Sequence, residues 1–193
     1  MSITYTNAKG QTYFLHQGRT KTGKPTYYFA LKREGPLADS IPDGYEMYEN
    51  PHAQVFLRRI PPQLITDEER QIVADGMRKY GSVEAYRIDV KGKAIVIYLA
   101  DQGEADLARI FQGYPYSPAE KERIMKVLRQ QLHYSPMLQF ILADEKPRRF
   151  WPQRYCFRGS IDDWIGIGLP DTLSNVVKMY VKHLGNESYF ELW

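Results

Sequence analysis

At 193 residues the chain has room for one substantial core, or for a small module beside a larger one. Its 43% apolar and 25% charged composition excludes wholesale disorder, and no stretch approaches the ~20 apolar residues of a membrane-spanning helix. A formal charge of +3 is too small to imply a polyanionic partner by itself, so its distribution along the chain carries the argument.

The first sixty residues read as β structure. Gln11 to His16 and Thr26 to Lys32, rich in Tyr, Phe and Thr, flank the turn-forming run Gly18 to Pro25, which predicts a hairpin with a long loop. Gly44 to Tyr48 and Gln54 to Arg59 form a second pair across Glu49 to Ala53, with Val55 and Leu57 on one face and Phe56 and Arg58 on the other. Ile60-Pro61-Pro62 ends this region, because proline cannot donate into a ladder and forces extended geometry on its predecessor. The expected organisation is a basic meander over residues 1–60, docked rather than independent, and an α+β domain over residues 61–193.

Thr66 with Glu69 spells a capping box, Ile72, Val73 and Met77 give helical spacing, and Gly81 is expected as a left-handed stop. Val83 to Val90 and Lys93 to Leu99 make a hairpin turning at Lys91-Gly92-Lys93. The run Ala94 to Leu99 is apolar on both faces, so it predicts an interior strand. A short helix is expected near Glu104 to Gln112, then a loop at Gly113 to Tyr116. A second helix opens at Ser117-Pro118, with Ile124, Met125, Val127, Leu128 and Leu132 on its stripe. Met137 to Leu142 and Phe150 to Phe157 read as strands, Asp171 to Leu184 as a helix stopped by Gly185, and Glu187 to Trp193 as a docked final strand. Segregated elements predict an α+β fold with a mainly antiparallel sheet and three to four helices behind a small β-meander. No internal repeat or low-complexity segment is present.

Charge is clustered. Residues 1–33 carry Lys9, Arg19, Lys21, Lys24, Lys32 and Arg33 without an acid, and Glu145 to Arg158 carries Lys146, Arg148, Arg149, Arg154 and Arg158 against Glu145 alone. Alternation puts Phe150, Pro152, Arg154 and Cys156 on one face of a strand and Arg149, Trp151, Gln153, Tyr155 and Phe157 on the other. Arginines bind phosphates bidentately and aromatic rings stack on bases, so Arg19, Lys21, Lys24, Arg148, Arg149, Trp151, Arg154 and Tyr155 are the candidate nucleic-acid contacts. The competing structural reading is an Arg-to-Asp network within Arg148 to Asp163, with Asp162 or Asp163 capping a turn.

Other chemistry fares less well. Gly18 to Lys24 matches a phosphate-loop spacing, but Pro25 replaces the Mg²⁺-binding hydroxyl and a strand follows where a helix is required. Pro42-Asp43 with Asp89-Val90-Lys91 echoes a metal-dependent nuclease, a degenerate pattern also explained by a polar strand end. His16, His52, His133 and His183 form no ligand pair. Cys156 precludes an intramolecular disulfide; between Tyr155 and Phe157 it reads as a small buried residue rather than a nucleophile activated by Arg154 and Arg158. Without a disulfide or an apolar leader run, a cytoplasmic protein is expected. The leading expectation is a non-catalytic nucleic-acid or polyanion binder with no cofactor and no metal, acting on DNA or RNA and not on a membrane. The alternatives are a protein-interaction or assembly subunit and, third, the nuclease.

Overall fold

The computed structural model describes residues 2–103, 109, 111, 115–158 and 161–193, the side chains of residues 158 and 161 excepted. The helix expected near Glu104 to Gln112 falls outside this set, residues 109 and 111 apart. Among the described residues the fold is α+β, with antiparallel sheets throughout. No helix among them is long and apolar enough to cross a membrane. Contacts divide the chain into two compact units: Met1–Pro61 with Pro118–Gln131, and Pro62–Ser117 with Leu132–Trp193.

The first unit holds a three-stranded sheet of β1 (Thr4–Thr6), β2 (Thr12–Arg19) and β3 (Pro25–Ala30), and a pair of β4 (Tyr45–Glu49) and β5 (Val55–Arg59). β2 and β3 run further than their sequence suggests. Arg19 pairs with Pro25, so the expected long loop shrinks to a turn in which Thr20 N donates to Lys24 O at 2.8 Å and Gly23 takes a φ of 80°. Glycine makes that left-handed turn cheap, and the turn lets the ladder extend. The helix α2 (Pro118–Gln131) has no buried residue. Val127, expected on its apolar stripe, is 52% exposed. Ile124, Met125 and Leu128 span about 100° of the helix circumference, and at 100° per residue Val127 lies about 60° outside that arc, beyond Ile124.

The second unit is a five-stranded sheet in the order β10-β9-β8-β7-β6, formed by β6 (Tyr86–Lys91), β7 (Ala94–Ala100), β8 (Tyr134–Glu145), β9 (Arg148–Arg158) and β10 (Ile161–Gly166). α1 (Asp67–Tyr80) and α3 (Leu173–Tyr180) pack on one face of it. Ile95, Ile97, Leu138, Phe140 and Phe150 from the sheet meet Val73, Met77, Val176 and Val177 from the helices, all at 1% exposure or less. Each such side chain contributes roughly 1.5–3 kcal/mol of burial, which makes this layer the main stabilising feature of the unit. As expected, β7 lies inside the sheet with Ala94 to Leu99 buried on both faces.

The capping box forms as the sequence specifies: Glu69 N donates to Thr66 Oγ1 at 3.2 Å, and Thr66 N to Glu69 Oε2 at 2.9 Å. Gly81 departs from expectation, with φ −78° and ψ 148° in the extended region. Glycine is needed there for space, because a Cβ would come within 2.6 Å of Met77 O, which accepts the Gly81 amide.

Pro152 lies in interior strand β9 without a donor for its neighbour. Ile167 N donates to Pro152 O at 3.1 Å, but Pro152 cannot return the bond to Ile167 O. The Tyr180 hydroxyl donates to that carbonyl instead, at 3.0 Å, so α3 supplies what the proline withholds.

The C-terminal region corrects two expectations. The helix predicted to Leu184 is α-helical only to Tyr180 and continues as a 3₁₀ turn, Val181–His183. Glu187 to Trp193 is not a strand; it opens with a 3₁₀ turn at Glu187–Tyr189. Tyr189, 1% exposed, docks this segment, whereas Phe190 and Trp193 are 63% and 75% exposed. Its apolar residues suggested a docked strand, but burying Tyr189 and partly burying Leu192, three residues on, suits a helical turn.

Candidate binding surfaces

The sequence-predicted contact residues fall into one set on each unit. In the first unit Arg19, Lys21 and Lys24 surround the β2–β3 turn and are exposed. The turn is braced by hydroxyls, with Thr20 Oγ1 3.0 Å from Thr22 Oγ1 and accepting from Lys24 N at 3.1 Å. Among the described residues none of these three cations forms an ion pair. Pro25 continues into β3, so the run from Gly18 to Lys24 is strand, turn and strand, not the strand-to-helix passage of a phosphate loop.

In the second unit alternation along β9 separates its residues. Arg148 and Arg154 lie on the side that carries Phe150, Pro152 and Cys156, all buried. Arg148 is tied to Glu69, and its Nη2 also donates to Leu64 O at 2.8 Å. The Glu69 hydrogen bond foremost, then the Glu69 and Glu145 charges, raise its already high pKa against the opposing effect of burial. Arg154 is 5% exposed; its Nε donates to Leu192 O at 2.9 Å, and its guanidinium lies 5.8 Å and 5.2 Å from the ring centroids of Tyr189 and Trp193. A guanidinium so enclosed stabilises the Glu187–Tyr189 turn and the residues after it, and a solvent phosphate has no path to it. The Arg-to-Asp network considered from sequence takes a different form, Arg148 to Glu69 and Arg154 to a carbonyl.

The outer side of β9 carries Arg149, Trp151, Gln153, Tyr155 and Phe157. Arg149 is exposed and opposite Asp144. The Trp151 indole N–H donates to Gly168 O at 2.9 Å, and its ring lies so close over Gly166 that a Cβ there would come within 2.7 Å of it. Gln153 is buried, and Gln139 on the neighbouring strand β8 donates to its Oε1 at 2.6 Å. Tyr155 is half-buried and donates to Asp162 O at 3.1 Å; Phe157 is 55% exposed. Cys156 is buried, and the structure places it as the small apolar residue that its neighbours suggest.

Antiparallel pairing adds residues that the candidate set omitted. Trp164 pairs with Tyr155 and Asp162 with Phe157, so both join the outer face. The Tyr155 ring meets Trp164 edge-to-face at 5.0 Å and Phe157 at 4.7 Å. Desolvation, then the Asp162 charge and hydrogen bond, then the Asp163 charge, push the Tyr155 hydroxyl pKa upward. A register count outward from the pair Arg158 and Ile161 would have found Trp164, since antiparallel partners have numbers that sum to a constant.

Among the described residues no three His, Cys, Asp or Glu side chains are grouped as a metal site. Comparison of the chain with protein-family models, with curated proteins and with solved structures returned no match.

Proposed function

We propose that this protein is a non-catalytic binder of nucleic acid or a similar polyanion, with the β2–β3 turn as its anion contact. One observation carries the reading: Arg19, Lys21 and Lys24 stand together on a braced turn, exposed, with no ion pair among the described residues. Cations so placed neutralise phosphates without first losing a carboxylate partner. With Arg148 and Arg154 engaged inside the second unit, the share of β9 in this reading reduces to Arg149, Trp151 and Tyr155 along its outer side.

The test is fluorescence anisotropy with labelled single- and double-stranded DNA and RNA at about 50 and 200 mM salt. Three neutralised phosphates on duplex DNA give a salt slope of about −2.7, or about 40-fold weaker binding across that range. The K21E/K24E variant should bind about tenfold more weakly or worse. Equal binding by that variant, or affinity indifferent to salt, removes the proposal.

A second reading, a protein-interaction subunit, is favoured by a different feature, the open ring cluster on β9 and β10.

A further inference from the structure

We infer that Tyr155, Phe157, Trp164 and Asp162, on the outer face of β9 and β10, form a docking site for a cationic side chain, an arginine or lysine on a basic segment of a partner protein. The inference rests on the protein-interaction reading and is independent of the turn at Thr20 to Lys24.

The rings come first. Phe157 is 55% exposed, and Tyr155 and Trp164 are each partly open, so ring faces are presented to solvent rather than spent in the core. The edge-to-face contact of Tyr155 and Trp164 turns the two ring planes 89° apart, and Phe157 is tilted 52° to Tyr155. Rings at such angles present π faces in different directions, the arrangement that surrounds a cation rather than stacking a flat base.

The charge comes second. Asp162 is exposed and shares the outer face with Phe157 and Trp164. Among the described residues no cation lies over Tyr155, Phe157 or Trp164, and Asp162 forms no ion pair. Other aromatic residues in this chain are supplied internally: Arg58 lies 3.7 Å from the Tyr48 centroid and Arg87 4.4 Å from that of Tyr134. The cluster on β9 and β10 offers the same chemistry to a cation from outside the chain. A phosphate approaching Asp162 would be repelled, whereas a guanidinium or ammonium gains from both carboxylate and rings. The fixed geometry favours the bound state, because the Tyr155 hydroxyl is held by Asp162 O.

The test titrates the full chain into dye-labelled hexa-arginine and, as control, uncharged hexa-serine carrying the same dye. Hexa-arginine should bind saturably and hexa-serine should not. Asp162→Asn and Phe157→Leu change exposed side chains and leave the core intact; the double variant should bind hexa-arginine about tenfold more weakly. K21E/K24E should leave this affinity unchanged, which separates the site from the polyanion surface. Absent hexa-arginine binding, or equal binding by the double variant, overturns the inference. Oligo-thymidine binding that weakens in Phe157→Leu and strengthens in Asp162→Asn also overturns it, by assigning the rings to nucleic acid.

Discussion

Arg148 grips Glu69 through two parallel hydrogen bonds, Nε to Oε1 at 2.8 Å and Nη2 to Oε2 at 2.7 Å, tying the first residue of β9 to the first turn of α1. The same carboxylate accepts the Thr66 amide. One side chain therefore caps a helix and fastens it to the sheet. Burial alone would raise the Glu69 pKa, but Arg148 and the Thr66 amide outweigh it and hold the carboxyl below its ordinary value.

Glu69→Gln tests that double role, since glutamine still reaches the Thr66 amide but carries no charge. With Arg148 39% exposed, solvent screens the pair, and the expected loss is about 1 kcal/mol in urea unfolding near neutral pH. A carboxyl lowered by folding stabilises the native state above its unfolded pKa and loses that contribution as pH falls through the folded one. The difference between wild type and variant should therefore close below about pH 4.

Tyr180→Phe removes one oxygen and leaves Ile167 O without the donor that Pro152 cannot provide. The carbonyl is buried with its residue, so the expected cost is about 1–3 kcal/mol in the unfolding midpoint with an unchanged slope. A loss of only a few tenths would mean that the carbonyl finds another donor.

Tyr189 governs behaviour in alkali. Its single hydroxyl proton is shared between Met137 O, the closer acceptor, and Tyr155 O at 3.3 Å, and burial pushes its pKa well up, with Arg154 opposing more weakly. A group raised by folding contributes its stability below the unfolded pKa and loses it as pH rises toward the folded one. The wild type should destabilise above about pH 10, the unfolded tyrosine range. Tyr189→Phe should be weaker at neutral pH by about 1–2 kcal/mol but show a flatter alkaline limb in circular-dichroism melts.

Local signals survived the passage from sequence to structure. The Thr66–Glu69 box and the apolar run Ala94 to Leu99 depend on neighbours in the chain, and both appear as read. The side assignment along β9 was also legible, because a strand alternates whatever surrounds it. Which side meets the helices was not legible, so Arg154 could be grouped with surface cations although it belongs to the side that carries Cys156 and Phe150. The partners that decide its role, Leu192, Tyr189 and Trp193, lie far along the chain. The same non-locality hid the Tyr180 donor for Ile167, whereas the arrival of Trp164 beside Tyr155 follows from local hairpin register.

β10 is an edge strand, yet its backbone is not an open invitation. The Asp163 carboxylate folds back to accept the Trp164 amide at 2.7 Å, occupying a group that an incoming strand would need. A visitor to this margin of the sheet finds that amide already spent, which favours recognition from above, by side-chain character. Selectivity would then depend on which residue a partner offers and hardly on the conformation of its chain, so a short, unstructured basic tail would serve as well as a folded one.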